Sequence, residues 1–166
     1  LPKAMAMLDM LEDFDLLFAE ESIRADASFA DWEALAKSTT VPLAGGENFY
    51  GVEQFLGMAN AGVKVLQPDV AKWGGVTGAL ELRAVMPAGT VLWPHFMGSE
   101  VGQQAGLAIS AAIGPTSKCE MDVNENELRT GLCGLGEAVS EGTFKLPTAP
   151  GLLSPPLDSS LAAFAV

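Results

Sequence analysis

The chain has 166 residues, 49% of them hydrophobic, enough for one domain with a real apolar core. Its formal net charge of −12 would repel phosphates instead of releasing their counterions, which excludes nucleic acid as the natural partner. No apolar run reaches the ~18 residues of a membrane-spanning helix, so no membrane partner is expected.

Cys119 and Cys133 have no disulfide or metal-site spacing, which points to a reducing, cytoplasmic setting. The opening Leu1-Pro2-Lys3-Ala4-Met5 has no initiator methionine and no signal-peptide pattern. The chain is therefore expected to be a piece of a longer product.

In chain order, an opening helix is predicted over about Lys3–Glu12, followed by short apolar strands alternating with longer helices. The strands are Asp15–Glu20, Val41–Gly45, Val63–Pro68, Thr90–Pro94 and Lys118–Met121, each bounded by glycine, proline or acidic residues, as buried parallel strands are. The helices between them are Phe29–Ser38, Val52–Ala61, Val76–Met86 and Glu100–Ile113. In the third of these, Leu80, Ala84 and Val85 have the spacing of an inner face, with Glu81 and Arg83 outside.

Beyond Met121 the pattern weakens. Asn124–Glu127 reads as loop, Gly131–Gly136 as flexible, and the stretch from Leu146 through Pro147, Pro150, Pro155 and Pro156 as an extended surface segment. Residues 1–145 are thus expected to form the strand–helix domain and residues 146–166 a Pro-rich extension.

The residues Glu20, Glu47, Asp69, His95 and Glu120 stand at successive strand ends, separated by 27, 22, 26 and 25 residues. That interval is one strand, one helix and two loops, the unit of parallel α/β folds. Parallel strands bring their C-terminal ends to one face, which in barrels holds the active site. An open sheet concentrates its polar groups near a single switch point, so one ionisable residue at every strand end favours a barrel.

The residue types assign chemistry. Glu20 and Glu47 on adjacent strands repel one another unless a cation lies between them, and an all-oxygen pair suits Mg²⁺. Asp69 and His95 on the next two strands form a natural carboxylate–imidazole pair, with the acid fixing the ring tautomer of a base that works near neutral pH. Glu120 is placed to hydrogen-bond the far side of a substrate.

Each residue also has an ordinary reading. Asp69 can cap the following helix, Glu20-Glu21 can be an acidic helix start, Glu47-Asn48 a polar loop and His95 a satisfied structural group. The Gly74-Gly75 pair lacks the spacing of a nucleotide fingerprint. Glu100, Asp122, Asn124 and Arg129 read as solvated loop groups, and Trp93 and Phe96 as packing beside His95.

Five runs in register resemble the mandelate racemase branch of the enolase superfamily: Phe18-Ala19-Glu20-Glu21, Gly46-Glu47-Asn48, Gln67 through Thr77, Pro94-His95 and Cys119-Glu120-Met121-Asp122. The likeness runs from about Asp13 to Asp158. It implies the C-terminal part, about strands four to eight, of a (β/α)₈ TIM-type barrel, with the N-terminal capping domain and first strands absent.

It further implies that Glu20 and Glu47 are two Mg²⁺ ligands, a third lying upstream of Leu1. Asp69 and His95 would be the base dyad, and Glu120 an acid that stabilises an enediolate. Lys72 matches a lysine before Gly-Gly in both branches and discriminates nothing.

The activity implied is removal of a proton alpha to a carboxylate, with a small carboxylate, a sugar acid, as the expected substrate. Dehydration of an acid sugar is the first expectation, racemisation or epimerisation of a 2-hydroxy acid the second, and a non-catalytic barrel fragment the third. An incomplete barrel exposes strand edges and an apolar interior. The chain is therefore expected to self-associate or to work with a missing N-terminal half, and to be inactive alone.

Overall fold

A computed structural model describes residues 1–135, 139–146, 150–152 and 155–164. Helix α1 spans Pro2–Leu11, with proline in its first turn, where the missing N–H costs no helical hydrogen bond. A single 3₁₀ turn, Glu12–Phe14, then reverses the chain through Asp15 at φ 49°.

From there strands and helices alternate: β1 Ala19–Glu20, α2 Phe29–Lys37, β2 Leu43–Gly45, α3 Val52–Asn60, β3 Val65–Leu66, α4 Gly75–Val85, β4 Val91–Leu92 and α5 Glu100–Ile113. The predicted helices lie within a residue of these bounds. Their starts were legible for local reasons, such as Ser28, whose Oγ accepts the Asp31 N–H at 3.1 Å and caps α2.

The strands pair in parallel in the order β1-β2-β3-β4, with Ala19 opposite Leu43, Ala44 opposite Val65, and Val65 opposite Val91. Each crossover carries a helix, which packs back onto one face of the sheet. On that face Leu43, Leu66 and Leu92 join Trp32, Leu35, Phe55, Met58, Leu82 and Ile109 in one buried cluster. Side chains alternate along a strand, so Phe18, Glu20, Gln67 and Trp93 fall on the opposite face, where they line a common cavity.

The strands are two or three residues long, shorter than predicted. The predicted Lys118–Met121 strand is not formed as a ladder. It is tied to the sheet by the Glu120 N–H to the Pro94 carbonyl at 3.4 Å, and to α5 by side chains.

Several other expectations are corrected. The inner face of α4 is Gly78, Ala79 and Leu82, while Leu80 and Val85 are exposed. Gly78 allows close approach: a Cβ there would already lie 3.4 Å from Trp73.

Glu100 is wholly buried and Asp122 is buried, neither of them solvated. The Glu100 carboxylate accepts the backbone N–H groups of Cys133, Gly134 (3.2 Å) and Leu135 (2.6 Å). It thereby fixes a segment expected to be flexible, whose Gly136 lies outside the described residues, and buries Leu132, Cys133 and Leu135.

A short helix, α6 Glu127–Thr130, begins where loop was expected, capped by Asn126. Two strands, β5 Val139–Ser140 and β6 Thr143–Phe144, form an antiparallel hairpin. In the Pro-rich extension Pro147 lies outside the described residues, and Asp158–Phe164 forms a further helix, α7. The Leu157 N–H to Leu132 carbonyl bond (2.9 Å) and the Ser160 Oγ to Gly131 carbonyl bond (2.5 Å) return the tail to the body. Among the described residues no helix is long and apolar enough to cross a membrane.

Candidate active site

Four of the five sequence-selected residues lie at or just beyond a strand's C-terminal end, and Glu120 lies in the segment tied to Pro94 beside β4. Glu20 closes β1, Glu47 follows β2 by two residues, and Asp69 and His95 follow β3 and β4 by three. The last two are opposite one another in a parallel bridge, which extends the sheet register to the rim. The turn that aims Glu47 needs glycine at position 46, where φ is 123° and a Cβ would sit 2.8 Å from the Phe55 ring.

His95 is the hub. Its Nδ1 lies 2.9 Å from Asp69 Oδ2, its Nε2 lies 2.9 Å from Glu47 Oε2, and the same Nε2 lies 3.8 Å from Glu120 Oε2. Asp69 divides its labour between its two oxygens. Oδ1 accepts the Ala71 and Lys72 N–H groups at 2.8 and 2.9 Å, while Oδ2 holds the imidazole. Asp69 does not cap the following helix, whose N-cap is Gly74; it closes a turn with Ala71 and Lys72 while holding the dyad geometry. With Asp69 an acceptor, Nδ1 carries a ring proton, while Nε2 faces the Glu47 carboxylate, also an acceptor, and is open to serve as a base only when that contact is released.

Glu20 contacts none of these groups through a hydrogen bond, yet its charge reaches Glu120. Burial, foremost, and then the Glu20 and Glu47 charges raise the Glu120 carboxyl above the ordinary range, against a lowering by His95. Glu120 Oε2 is buried with no hydrogen-bond partner.

Three residues absent from the selected set also reach the site. The Lys72 ammonium donates to Asn48 Oδ1 at 3.1 Å and lies 3.8 Å from both Glu47 Oε1 and Asp69 Oδ2. It brings positive charge to two of the acids around His95. Asn48 in turn donates to Glu47 Oε1 at 3.0 Å. Lys72 was visible three residues after Asp69, a spacing that returns a side chain over the start of the following loop.

Glu21 is the third. It takes a left-handed backbone, φ 40°, rare for a side-chain-bearing residue, and its Oε1 is buried without a partner. Burial first, then the Glu47 charge, raise its carboxyl above the ordinary range, with Asn48 hydrogen bonding opposing them.

Among the described residues, no three His, Cys, Asp or Glu side chains are grouped to hold a metal ion. The chemistry of the donors still fits a hard cation. Glu20 and Glu47 offer carboxylate oxygens from the ends of neighbouring strands, with the His95 imidazole 2.9 Å from one Glu47 oxygen.

Parallel strands, covering helices and a ring of acids around one histidine at the strand C-termini define the C-terminal part of a (β/α)₈ barrel of the enzyme type. The chain belongs to the enolase C-terminal domain-like family, whose model matches residues 1–154.

Among solved structures, a mandelate racemase/muconate lactonizing enzyme from Bordetella bronchiseptica RB50 is 40% identical with a TM-score of 0.88, the match covering 98% of this chain and 46% of that one. The 3,6-anhydro-D-galactonate cycloisomerase from Zobellia galactanivorans shares the fold at 24% identity, with a TM-score of 0.86 and the same two coverages. A D-galactonate dehydratase of Xanthomonas oryzae pv. oryzae (strain PXO99A) is 36% identical over 88 residues, 52% of this chain and 23% of that protein. The chain thus spans under half the length of these solved relatives, and its match to the dehydratase covers about a quarter of that enzyme. The relatives above 25% identity are enzymes, named mandelate racemase/muconate lactonizing enzyme and D-galactonate dehydratase.

Proposed function

We propose that this chain forms the base-bearing part of an enzyme that removes the proton alpha to the carboxylate of a sugar acid, with elimination of water as the outcome. The observation that carries the reading is the His95 geometry: Nδ1 held by Asp69 at 2.9 Å and Nε2 turned toward Glu47 and Glu120.

Asp69 holds the ring in one tautomer and steadies the imidazolium once Nε2 has taken the proton. Glu47 lies 2.9 Å from the same nitrogen and Glu120 3.8 Å. Glu120, with its carboxyl raised by burial, can donate a hydrogen bond to oxygen atoms that gain negative charge as the proton leaves. Protonated His95 is then placed to return its proton to a departing beta hydroxyl.

Glu20 and Glu47 would hold a Mg²⁺, with a further donor from outside the described residues. Such an ion would stabilise the charge gathering on the substrate carboxylate more than the substrate itself. The remaining barrel strands would come from an N-terminal half or from another copy of the chain, and the setting would be the reducing cytoplasm.

Dehydration is preferred to racemisation because the relatives matched at 36% identity are D-galactonate dehydratases. NMR of the complete protein with D-galactonate and Mg²⁺ in D₂O tests the choice. A 2-keto-3-deoxy product is expected, whereas deuterium at the alpha carbon with the hydroxyls retained would replace dehydration by racemisation.

A further inference from the structure

The turn that carries Glu47 is closed by the Phe49 N–H, which donates to the Gly46 carbonyl at 3.0 Å and puts Glu47 and Asn48 at the two centre positions. Phe49 anchors this turn: it is buried and paired with the Phe29 and Phe55 rings at 6.4 and 6.0 Å between centroids. One strand over, Asp69 accepts the Lys72 N–H on its carboxylate at 2.9 Å and the Trp73 N–H on its carbonyl at 3.0 Å. Asn48 and Lys72 therefore stand on two fixed turns at neighbouring strand ends.

Their side chains meet across the gap between those turns. The Lys72 ammonium donates to Asn48 Oδ1 at 3.1 Å, and Asn48 Nδ2 donates to Glu47 Oε1 at 3.0 Å. With an ammonium on one side and a carboxylate on the other, the amide can lie only one way. Aspartate here would have no donor for Glu47, and an apolar side chain would have neither group.

The consequence falls on Glu47. The last torsion of a glutamate is broad and roughly two-fold, so the orientation of its carboxylate is set by what the oxygens bond. Asn48 holds Oε1, which leaves Oε2 turned toward His95 Nε2 at 2.9 Å. Exposed charged pairs contribute little to stability, and Asn48 and Lys72 are both exposed. What they fix is the direction of one carboxylate.

We propose that Asn48, itself held by Lys72, is a positioning residue for Glu47, fixing Oε1 so that Oε2 is presented to a divalent cation once the His95 contact is released. The inference rests on the reading of Glu47 as a metal ligand. Hydrogen bonds to a ligating carboxylate set its orientation and so its affinity for the ion.

The test is the Mn²⁺ affinity of the complete protein by electron paramagnetic resonance, for wild type, Asn48→Ala, Lys72→Met and the double variant. Asn48 is exposed, so its truncation leaves the core intact. Asn48→Ala is expected to weaken Mn²⁺ binding about tenfold. Lys72→Met has two opposed effects. Removing an ammonium 3.8 Å from Glu47 Oε1 favours a cation, whereas releasing Asn48 disfavours it. Only the first effect remains once Asn48 is gone. Lys72→Met is therefore expected to favour Mn²⁺ at least about threefold more in the Asn48→Ala background than in wild type, a coupling that a merely structural role in the turn would not produce.

Mn²⁺ affinity within about twofold of wild type in Asn48→Ala would overturn the assignment, as would an equal effect of Lys72→Met in both backgrounds. Glu47→Gln separates this inference from the reading beneath it. If Glu47→Gln binds Mn²⁺ more weakly while Asn48→Ala binds as wild type, only Asn48 loses its role. If Glu47→Gln binds as tightly as wild type, or wild type binds no Mn²⁺, the metal reading falls and the positioning role falls with it.

Discussion

Nε2 of His95 lies 2.9 Å from Oε2 of Glu47, while Nδ1 of the same ring lies 2.9 Å from Oδ2 of Asp69. One imidazole thus joins the proposed base partner and a proposed metal ligand. The nitrogen that would accept a proton is the one that Glu47 occupies. A cation that engages Glu47 would free that nitrogen, so metal binding and base readiness are linked through this one carboxylate.

That link predicts the behaviour of Glu47→Gln. Changes to groups that merely support a ligand cost about 10–100-fold in metal affinity. Loss of a charged ligand is therefore expected to lower Mn²⁺ affinity at least about tenfold in an electron paramagnetic resonance titration of the complete protein. Unchanged affinity would remove Glu47 from the metal site.

The raised carboxyls of Glu21 and Glu120 give a pH dependence with a definite sign. A folded-state value above the unfolded one means stability present at acid pH and lost as pH rises through the folded value. Both groups have burial as the largest cause, so ionising them costs more in the folded protein than in the unfolded chain. Glu21→Gln and Glu120→Gln are expected to melt at higher temperature than wild type at pH 7 without metal, with the gain fading as pH falls to about 4.5. A constant difference across that range would contradict the cause.

Much of this was legible in the sequence because local and global signals agreed. Ser28 before a helix, apolar runs of strand length and ionisable residues at regular intervals all pointed to one parallel barrel. The misreadings came where burial is decided by distant contacts. Glu100 looks solvated until three N–H groups from Cys133 to Leu135 close around it. The α4 face was misassigned because small residues, Gly78 and Ala79, bury as well as the larger Leu80 that the pattern favoured. Lys72 was passed over because its spacing to Asp69 does not record that it also reaches Asn48 and Glu47.

Glu100 supplies a stability prediction. Each hydrogen bond to a charged group contributes about 1.5–3 kcal/mol, and its carboxylate is wholly buried. Glu100→Gln keeps the shape but can place only one oxygen toward the three donors. A loss of about 2–4 kcal/mol in urea unfolding is expected, with the segment after Gly131 gaining hydrogen exchange first. A loss under about 0.5 kcal/mol would mean that the carboxylate does not organise that segment.

The cysteines should be inert. Burial pushes the Cys119 thiol up to about 12, and burial together with the Glu100 charge raises Cys133. The thiolate is the reactive form, so iodoacetamide at pH 8 is expected to label neither in folded protein and both in denaturant. Rapid labelling of the folded protein at Cys119, which is half-buried, would contradict the raised thiol.

The most direct test of the whole account is solvent exchange at the substrate's alpha carbon. The complete protein with Mg²⁺ and D-galactonate in D₂O, followed by NMR, should lose both exchange and turnover by at least about a thousandfold when His95 is changed to Asn, with metal affinity retained. Proton removal at the wild-type rate by the His95→Asn protein would place the base elsewhere.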